Sequence, residues 1–326
     1  MYRDLILSVI LPVHDRREEL EPYVGRVLAA LRQGFVNHEL IIVDDGSLDG
    51  SAEIARALVA RNPSVRLVQL SRAYGVEIAI AAGLDQAIGD YVAVLSPELT
   101  DPVEMLPTLI ATARDGVDVV YVKRPRTRPR LGQGLVHWLG ARLFYELCRR
   151  LTGLTIHDDA SDFCLLSRRV VNSLTRLKEH NRVMSMLLAY TGFSTRGIEP
   201  DPALGLPPHH WPGMRRRLHL ALDAIVAFSD KPLRYVSYAS MLISALALLG
   251  AGAVLVERIL NTRVAEGWAS LMVVQLVMFC LLFLLLAIVS EYVSRILIEA
   301  KHRPLYYIRE ELGGTRLDIE NIVDAR

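Results

Sequence analysis

The sequence predicts an α/β domain followed by two membrane-spanning helices. Three observations carry that expectation. From residue 5 to about 122, short β-branched runs alternate with longer amphipathic stretches; acidic or glycine-bearing turns close several of the runs; and two long uncharged stretches stand near the C-terminal end. Near-continuous apolar strands separated by helices imply a parallel sheet covered on both faces, because a strand buried on both sides has no face left for polar residues.

In chain order, ILSVILPV is a strand ending at Val13, Glu18 to Leu31 a helix, ELIIVDD a strand, Ser51 to Val59 a helix and VRLVQL a strand. Gly75 to Ala87 is a helix, YVAVLS a strand, Val103 to Arg114 a helix and DVVYV a strand. Ligands of such sheets sit at the carboxyl ends of the strands. The segments to examine are therefore Pro12 to Arg16, Asp44 to Ser47, Ser71 to Tyr74, Ser96 to Asp101 and Lys123 to Arg126.

Two cationic amphipathic stretches follow. Leu135, Trp138, Leu139, Leu143 and Leu147 recur at helical spacing among His137, Arg142, Arg149 and Arg150, and Leu218, Leu222, Ile225 and Phe228 do so behind Arg215, Arg216 and Arg217. Each suits a helix lying in the headgroup plane, with an ordinary core-facing helix as the alternative. Val236 to Val256 and Trp268 to Ser290 then hold no charged residue, and about 20 apolar residues are enough to cross a bilayer core as helix. Cationic flanks (Lys231 and Arg234 before, Arg295, Lys301 and Arg303 after) place both termini and the large N-terminal region in the cytoplasm, at the inner (plasma) membrane. The first 20 residues lack the apolar core and cleavage site of a signal peptide.

A net charge of +1 over 326 residues excludes a general nucleic-acid binder, which needs a surplus of cations to neutralise phosphates. Cys148, Cys164 and Cys280 are too far apart for a disulfide framework or a paired zinc spacing. Within VDDGSLDGS, Asp44 and Asp45 end a strand, Gly46 permits a tight turn, and Asp49 or Ser51 caps the next helix. An exposed carboxylate there accepts a hydrogen bond from a base N–H; capping and turning alone is the plainer role. TDPVEM reads as a helix start with Asp101 as cap, Pro102 at the first position and Glu104 closing a capping box. His209 and His210 beside Trp211 read as a surface loop, since two adjacent histidines make no full ligand set.

SVILPVHDRREEL, ELIIVDDGSLDGS, YGVEIAIAAGLDQAIGDYVAVL, DGVDVVY and DFCLLSRRVV, followed by two spans and SEYVSRILIEAKHRP, resemble in that order the polyprenyl-phosphate glycosyltransferases. The resemblance covers residues 5 to about 305. It implies a GT-A, Rossmann-like cytoplasmic domain (1–212), an interfacial helix and linker (213–234), a two-helix transmembrane hairpin (235–292) and a cytoplasmic tail (293–326). The implied activity moves a sugar from a nucleotide sugar, UDP-linked by preference, to a polyprenyl phosphate such as undecaprenyl phosphate. The implied partners are those two substrates, the membrane and further copies of the chain, with no nucleic acid.

Carried over by position, Pro12, Val13, Asp15, Asp44 and Asp45 line the base and ribose. Ser96, Glu98 and Thr100 replace the family's Asp-x-Asp-x-Gln, where Mg2+ or Mn2+ and the diphosphate sit, which leaves Glu98 as the single acidic metal ligand. Arg124 matches an arginine that receives the acceptor phosphate, with Arg126 and Arg215, Arg216 and Arg217 beside the membrane, and Asp162 matches a residue near the sugar. Further departures from the family pattern are Arg16, Val76, Ser161 and Cys164. A catalytically silent homologue that scaffolds an active partner is the competing reading of the same departures.

Overall fold

The computed structural model describes residues 2–123, 160–177, 184–200, 268–301, 303–314 and scattered positions between 238 and 250. The chain divides into two units, one of residues 1–145, 154–213 and 304–326, the other of residues 146–153 and 214–303.

The first unit is built on one eight-stranded sheet. Its strands are β1 (Tyr2–Val13), β2 (Phe35–Asp44), β3 (Val65–Leu70), β4 (Tyr91–Val94), β5 (Val119–Lys123), β6 (Ala160–Ser167), β7 (Thr195–Ile198) and β8 (Ile308–Leu312), in the spatial order β7-β5-β6-β4-β1-β2-β3-β8. The parallel block β4-β1-β2-β3 follows the sequence expectation. The sheet as a whole is mixed, which corrects the all-parallel expectation: β6 runs antiparallel between β4 and β5, and β8 runs antiparallel along the outer edge of β3. Reversal is the natural outcome for β6. It pairs Ala160 with Lys123 and so enters the sheet at the edge where β5 leaves.

Residue alternation sorts the helices onto the two faces. Leu7, Val9, Leu11 and Val13 of β1 share a core with α1 (Arg17–Gly34), α2 (Ser51–Arg61) and α4 (Leu106–Arg114), the last preceded by a single 3-10 turn, Val103–Met105. Ile10, on the opposite face, meets α3 (Val76–Gln86), where Gly83 lets the helix close on the strand: a Cβ there would lie 2.4 Å from the Ile10 Cγ2 atom. The same face carries α5 (Arg168–Arg176), which packs against β4, β6 and α6 (Met184–Thr191). The interior is a set of fully buried aliphatic side chains of β1 to β4, each removing apolar surface from water at about 25 cal/mol per Å².

A charged cluster closes the sheet at the end remote from the strand tips named above. Glu39, wholly buried, accepts hydrogen bonds from Ser8 Oγ (2.6 Å) and the Ile88 N–H (3.0 Å) and pairs with Arg66 at 3.2 Å. Arg66 reaches onward to Gln86 and, at 2.9 Å, to Glu311 of β8. Toward the strand tips, Arg56 of α2 bonds Glu310 at 2.9 Å, and the Ser71 N–H, just past the end of β3, donates to the Tyr307 carbonyl at 2.8 Å. Residues 308–312 therefore belong to the sheet.

In the second unit, α7 (Trp268–Ala300) is an uninterrupted helix of 33 residues. At about 1.5 Å per residue this is roughly 50 Å long. Leu271, Val274, Phe279, Phe283 and Leu286 on it are exposed. Counting the described side chains alone, no helix is long and apolar enough to cross a membrane. The span expected over 236–256 and both cationic amphipathic stretches lie largely or wholly outside the described residues.

Candidate functional site

The loops after β1, β2, β3 and β4 converge at one edge of the sheet, joined by the start of β6, because four parallel strands deliver their carboxyl ends there. The first two loops are tied together residue by residue. The Asp15 N–H donates to Ser47 Oγ (3.0 Å), and Asp15 Oδ1 in return accepts from the Leu48 N–H (2.8 Å). The Arg16 N–H bonds Ser51 Oγ and the Arg17 N–H bonds Asp49 Oδ2, so the first turns of α1 and α2 are held by side chains of one loop. Asp49 also accepts from the N–H and hydroxyl of Ser51, but from one residue before the cap position, which Gly50 holds with no side-chain cap, so neither Asp49 nor Ser51 is the cap expected. Asp15 itself sits at φ 51, in the left-handed region.

Asp44 and Asp45 are both buried, not exposed as the base-recognition expectation required. Asp44 Oδ1 accepts from the Ser47 N–H at 3.2 Å and Oδ2 from Gln69 Nε2 at 3.0 Å. Asp45 takes the N–H groups of Tyr74 (2.7 Å) and Gly75 (2.8 Å), fixing the β3–α3 loop. Burial pushes the Asp45 carboxyl above the ordinary carboxylate range, against the downward pull of those two bonds. The Asp45 carbonyl oxygen, which can only accept, sets the His14 tautomer: Nδ1 carries the proton and donates at 2.8 Å. Between these residues Gly46 adopts φ 66, and a Cβ there would stand 2.5 Å from the Arg72 carbonyl carbon. The loop it touches presents exposed Arg72, whose guanidinium lies 4.2 Å above the Tyr74 ring.

The loop after β4 departs from its expected form. The Asp101 carboxylate accepts from the Ser96 N–H, and Glu104 pairs with Arg26 of α1 at 2.9 Å. The predicted capping box is not made: Pro102 holds the cap position with no side-chain cap, and Asp101 folds the loop back on itself. Leu99, at φ 56, turns its side chain into the core, and Glu98 and Thr100 on either side of it are exposed while Ser96 is buried. Continuing the antiparallel register beyond Val94↔Cys164 brings Ser96 level with Asp162, which is exposed at the start of β6.

The structure thus gathers Pro12, Val13, Asp15, Asp44, Asp45, Ser96, Glu98, Thr100 and Asp162 at one edge. Arg124, Arg126, Arg215, Arg216, Arg217, His209 and His210 lie outside the described residues. Gln69 was missed, although a lone amide in the apolar run VRLVQL was its signal. Among the described residues no group of three His, Cys, Asp or Glu side chains is arranged to cage a metal. One exposed carboxylate, Glu98, still fits a hard divalent cation, because magnesium commonly takes one or two carboxylates and fills its octahedron with phosphate and water oxygens.

The sequence profile of glycosyl transferase family 2 matches residues 8–175. An uncharacterized glycosyltransferase of Bacillus subtilis is 34% identical, over 96% of this chain and 96% of its own. The bactoprenol glucosyl transferase of Shigella phage SfV is 30% identical over 94% of this chain and 98% of that one. Among solved structures, glucosyl-3-phosphoglycerate synthase of Mycobacterium tuberculosis in complex with UDP superposes with a TM-score of 0.50 at 22% identity, over 69% of this chain and 79% of that one, a likeness of fold.

Proposed function

The chain belongs to glycosyl transferase family 2, and from that premise we propose that it is a membrane-bound enzyme passing glucose from a nucleotide sugar, UDP-glucose by preference, to a polyprenyl phosphate. The observation that carries the reading is the near-complete alignment with a bactoprenol glucosyl transferase, which takes in the apolar C-terminal stretches as well as the catalytic domain. Residues 236–256 and the first two-thirds of α7 are the proposed spans, with the catalytic unit on the cytoplasmic face of the plasma membrane.

In this reading Pro12, Val13, Asp15, Asp44 and Asp45 surround the base and ribose, Ser96 and Thr100 face the diphosphate, and Asp162 bonds a sugar hydroxyl. Each carboxylate has about four acceptor positions, of which Asp44 gives two to Ser47 and Gln69. The acceptor is a phosphate monoester largely ionised at neutral pH, its second pKa being about 6, so it needs placement more than a base. Arg124, Arg126 and Arg215, Arg216 and Arg217 supply the cations for that placement. A magnesium or manganese ion held by Glu98 would offset the charge gathering on the departing diphosphate.

The full-length protein in membranes is expected to release UDP from UDP-glucose only when undecaprenyl phosphate and a divalent cation are both supplied. Glu98→Ala should lower that turnover by at least about 100-fold and abolish its dependence on the cation, by analogy with loss of one charge-stabilising group. An unchanged cation response in Glu98→Ala would remove Glu98 as ligand. Absence of turnover with any common donor would instead support the scaffold reading.

A further inference from the structure

A line of hydrogen bonds runs from the edge strand β8 into the site. Glu310 Oε2 accepts from Arg56 Nε at 2.9 Å, Arg56 Nη2 donates to Gln69 Oε1 at 2.9 Å, and Gln69 Nε2 donates to Asp44 Oδ2 at 3.0 Å. Every member but Asp44 lies outside the residues assigned to substrate. The order of donors and acceptors along it is forced. Arginine has only donors, so the Gln69 amide must turn its oxygen to Arg56, and its NH2 group then has one orientation left, toward Asp44. Gln69 and Asp44 are buried, which shields the bond between them from bulk solvent.

We infer that Gln69, Arg56 and Glu310 are positioning residues for the donor site, through which β8 sets the direction in which the Asp44 carboxylate meets the nucleotide. The inference rests on the reading of Asp44 as a nucleotide ligand. Asp44 Oδ1 is committed to the turn at Ser47, so the torsion of its carboxylate is decided by what holds Oδ2. With Glu310 removed, the carboxylate left to Arg56 is Glu53, a mostly exposed residue one turn earlier on its own helix, at 3.3 Å, which draws the guanidinium away from Gln69. The guanidinium is then released from Gln69, whose amide is able to reverse and turn its oxygen on the Asp44 carboxylate.

The test is calorimetric titration of the full-length protein in detergent with UDP and with GDP, joined to donor KM and kcat in the transferase assay. Gln69→Glu keeps the acceptor for Arg56 but has no proton for Asp44, and is expected to weaken nucleotide binding and raise the donor KM about tenfold, with kcat at saturating donor within about twofold. Glu310→Ala, at a half-exposed strand position that leaves the core untouched, is expected to weaken binding about threefold, and Glu310→Gln, which still accepts from Arg56, to restore it. Unchanged binding in Gln69→Glu, a fall in kcat equal to the rise in KM, or a Glu310→Gln variant as impaired as Glu310→Ala overturns the inference while the donor-site reading stands. Failure of the unaltered protein to bind either nucleotide overturns that reading and the inference with it.

Discussion

Glu39→Ala is expected to lower the unfolding free energy by about 3–5 kcal/mol, the range for breaking a buried ion pair from one side. The cause is what the substitution leaves behind. Arg66 is nearly as buried as its partner, at 11% side-chain exposure against 0% for Glu39, and would keep its charge with only Glu311 at the sheet edge to answer it. Ser8 Oγ and the Ile88 N–H would lose their acceptor at the same time. For a domain of this size the thermal midpoint should fall by about 10 °C. Glu39→Gln, which retains an acceptor but not the charge, should fall between alanine and the unaltered protein. A midpoint for Glu39→Ala within 2 °C of the parent, on a scale of about 2–4 °C per kcal/mol, would show that Arg66 finds other company and that the pair is dispensable.

Gly46→Ala is expected to reduce nucleotide binding and turnover by at least about 100-fold, a barrier or affinity change of about 2.7 kcal/mol. Two effects add. A side chain at φ 66 strains the backbone by about 1–2 kcal/mol, and the new methyl would meet backbone atoms of Arg72 and Ala73 at 2.5 and 2.6 Å. Backbone cannot rotate aside as a side-chain tip does, so the β3–α3 loop must move away from the carboxylate of Asp45 that holds it. Gly50→Ala is the matched comparison. It shares a positive φ, 97, but its nearest neighbour is the flexible end of Arg17 at 3.4 Å, so it should show the strain alone. Equal losses in the two variants, measured as Kd for UDP and as turnover, would rule out the loop contact as the cause.

The parallel block was legible because its strands are almost wholly apolar and its helices amphipathic, a pattern set by neighbours a few residues apart. β8 was not: IREEL carries three charges in five residues, and its pairing with β3 brings together residues some 240 positions apart. β6 was quoted as a motif without its direction, which depends on where the chain re-enters the sheet after residue 159. The edge at which the site forms followed from strand direction alone. What each carboxylate does there did not, because Asp44, Asp45 and Asp101 are distinguished by partners on other loops: Gln69, the Tyr74 and Gly75 amides, and Ser96. A buried amide such as Gln69 near the end of an apolar strand is the kind of signal that periodicity overlooks and hydrogen-bond accounting finds.

The position of β8 after α7 has a consequence for how the protein is made. As the polypeptide leaves the ribosome, the outer edge of β3 has no neighbour until roughly 300 residues have been synthesised, the apolar helix among them. An unpaired edge of that kind is a template for intermolecular strand addition. Cutting the gene just before the apolar helix to obtain a water-soluble fragment therefore also deletes the strand that seals the sheet, and such a fragment should precipitate unless residues 304–314 are rejoined to it through a flexible tether.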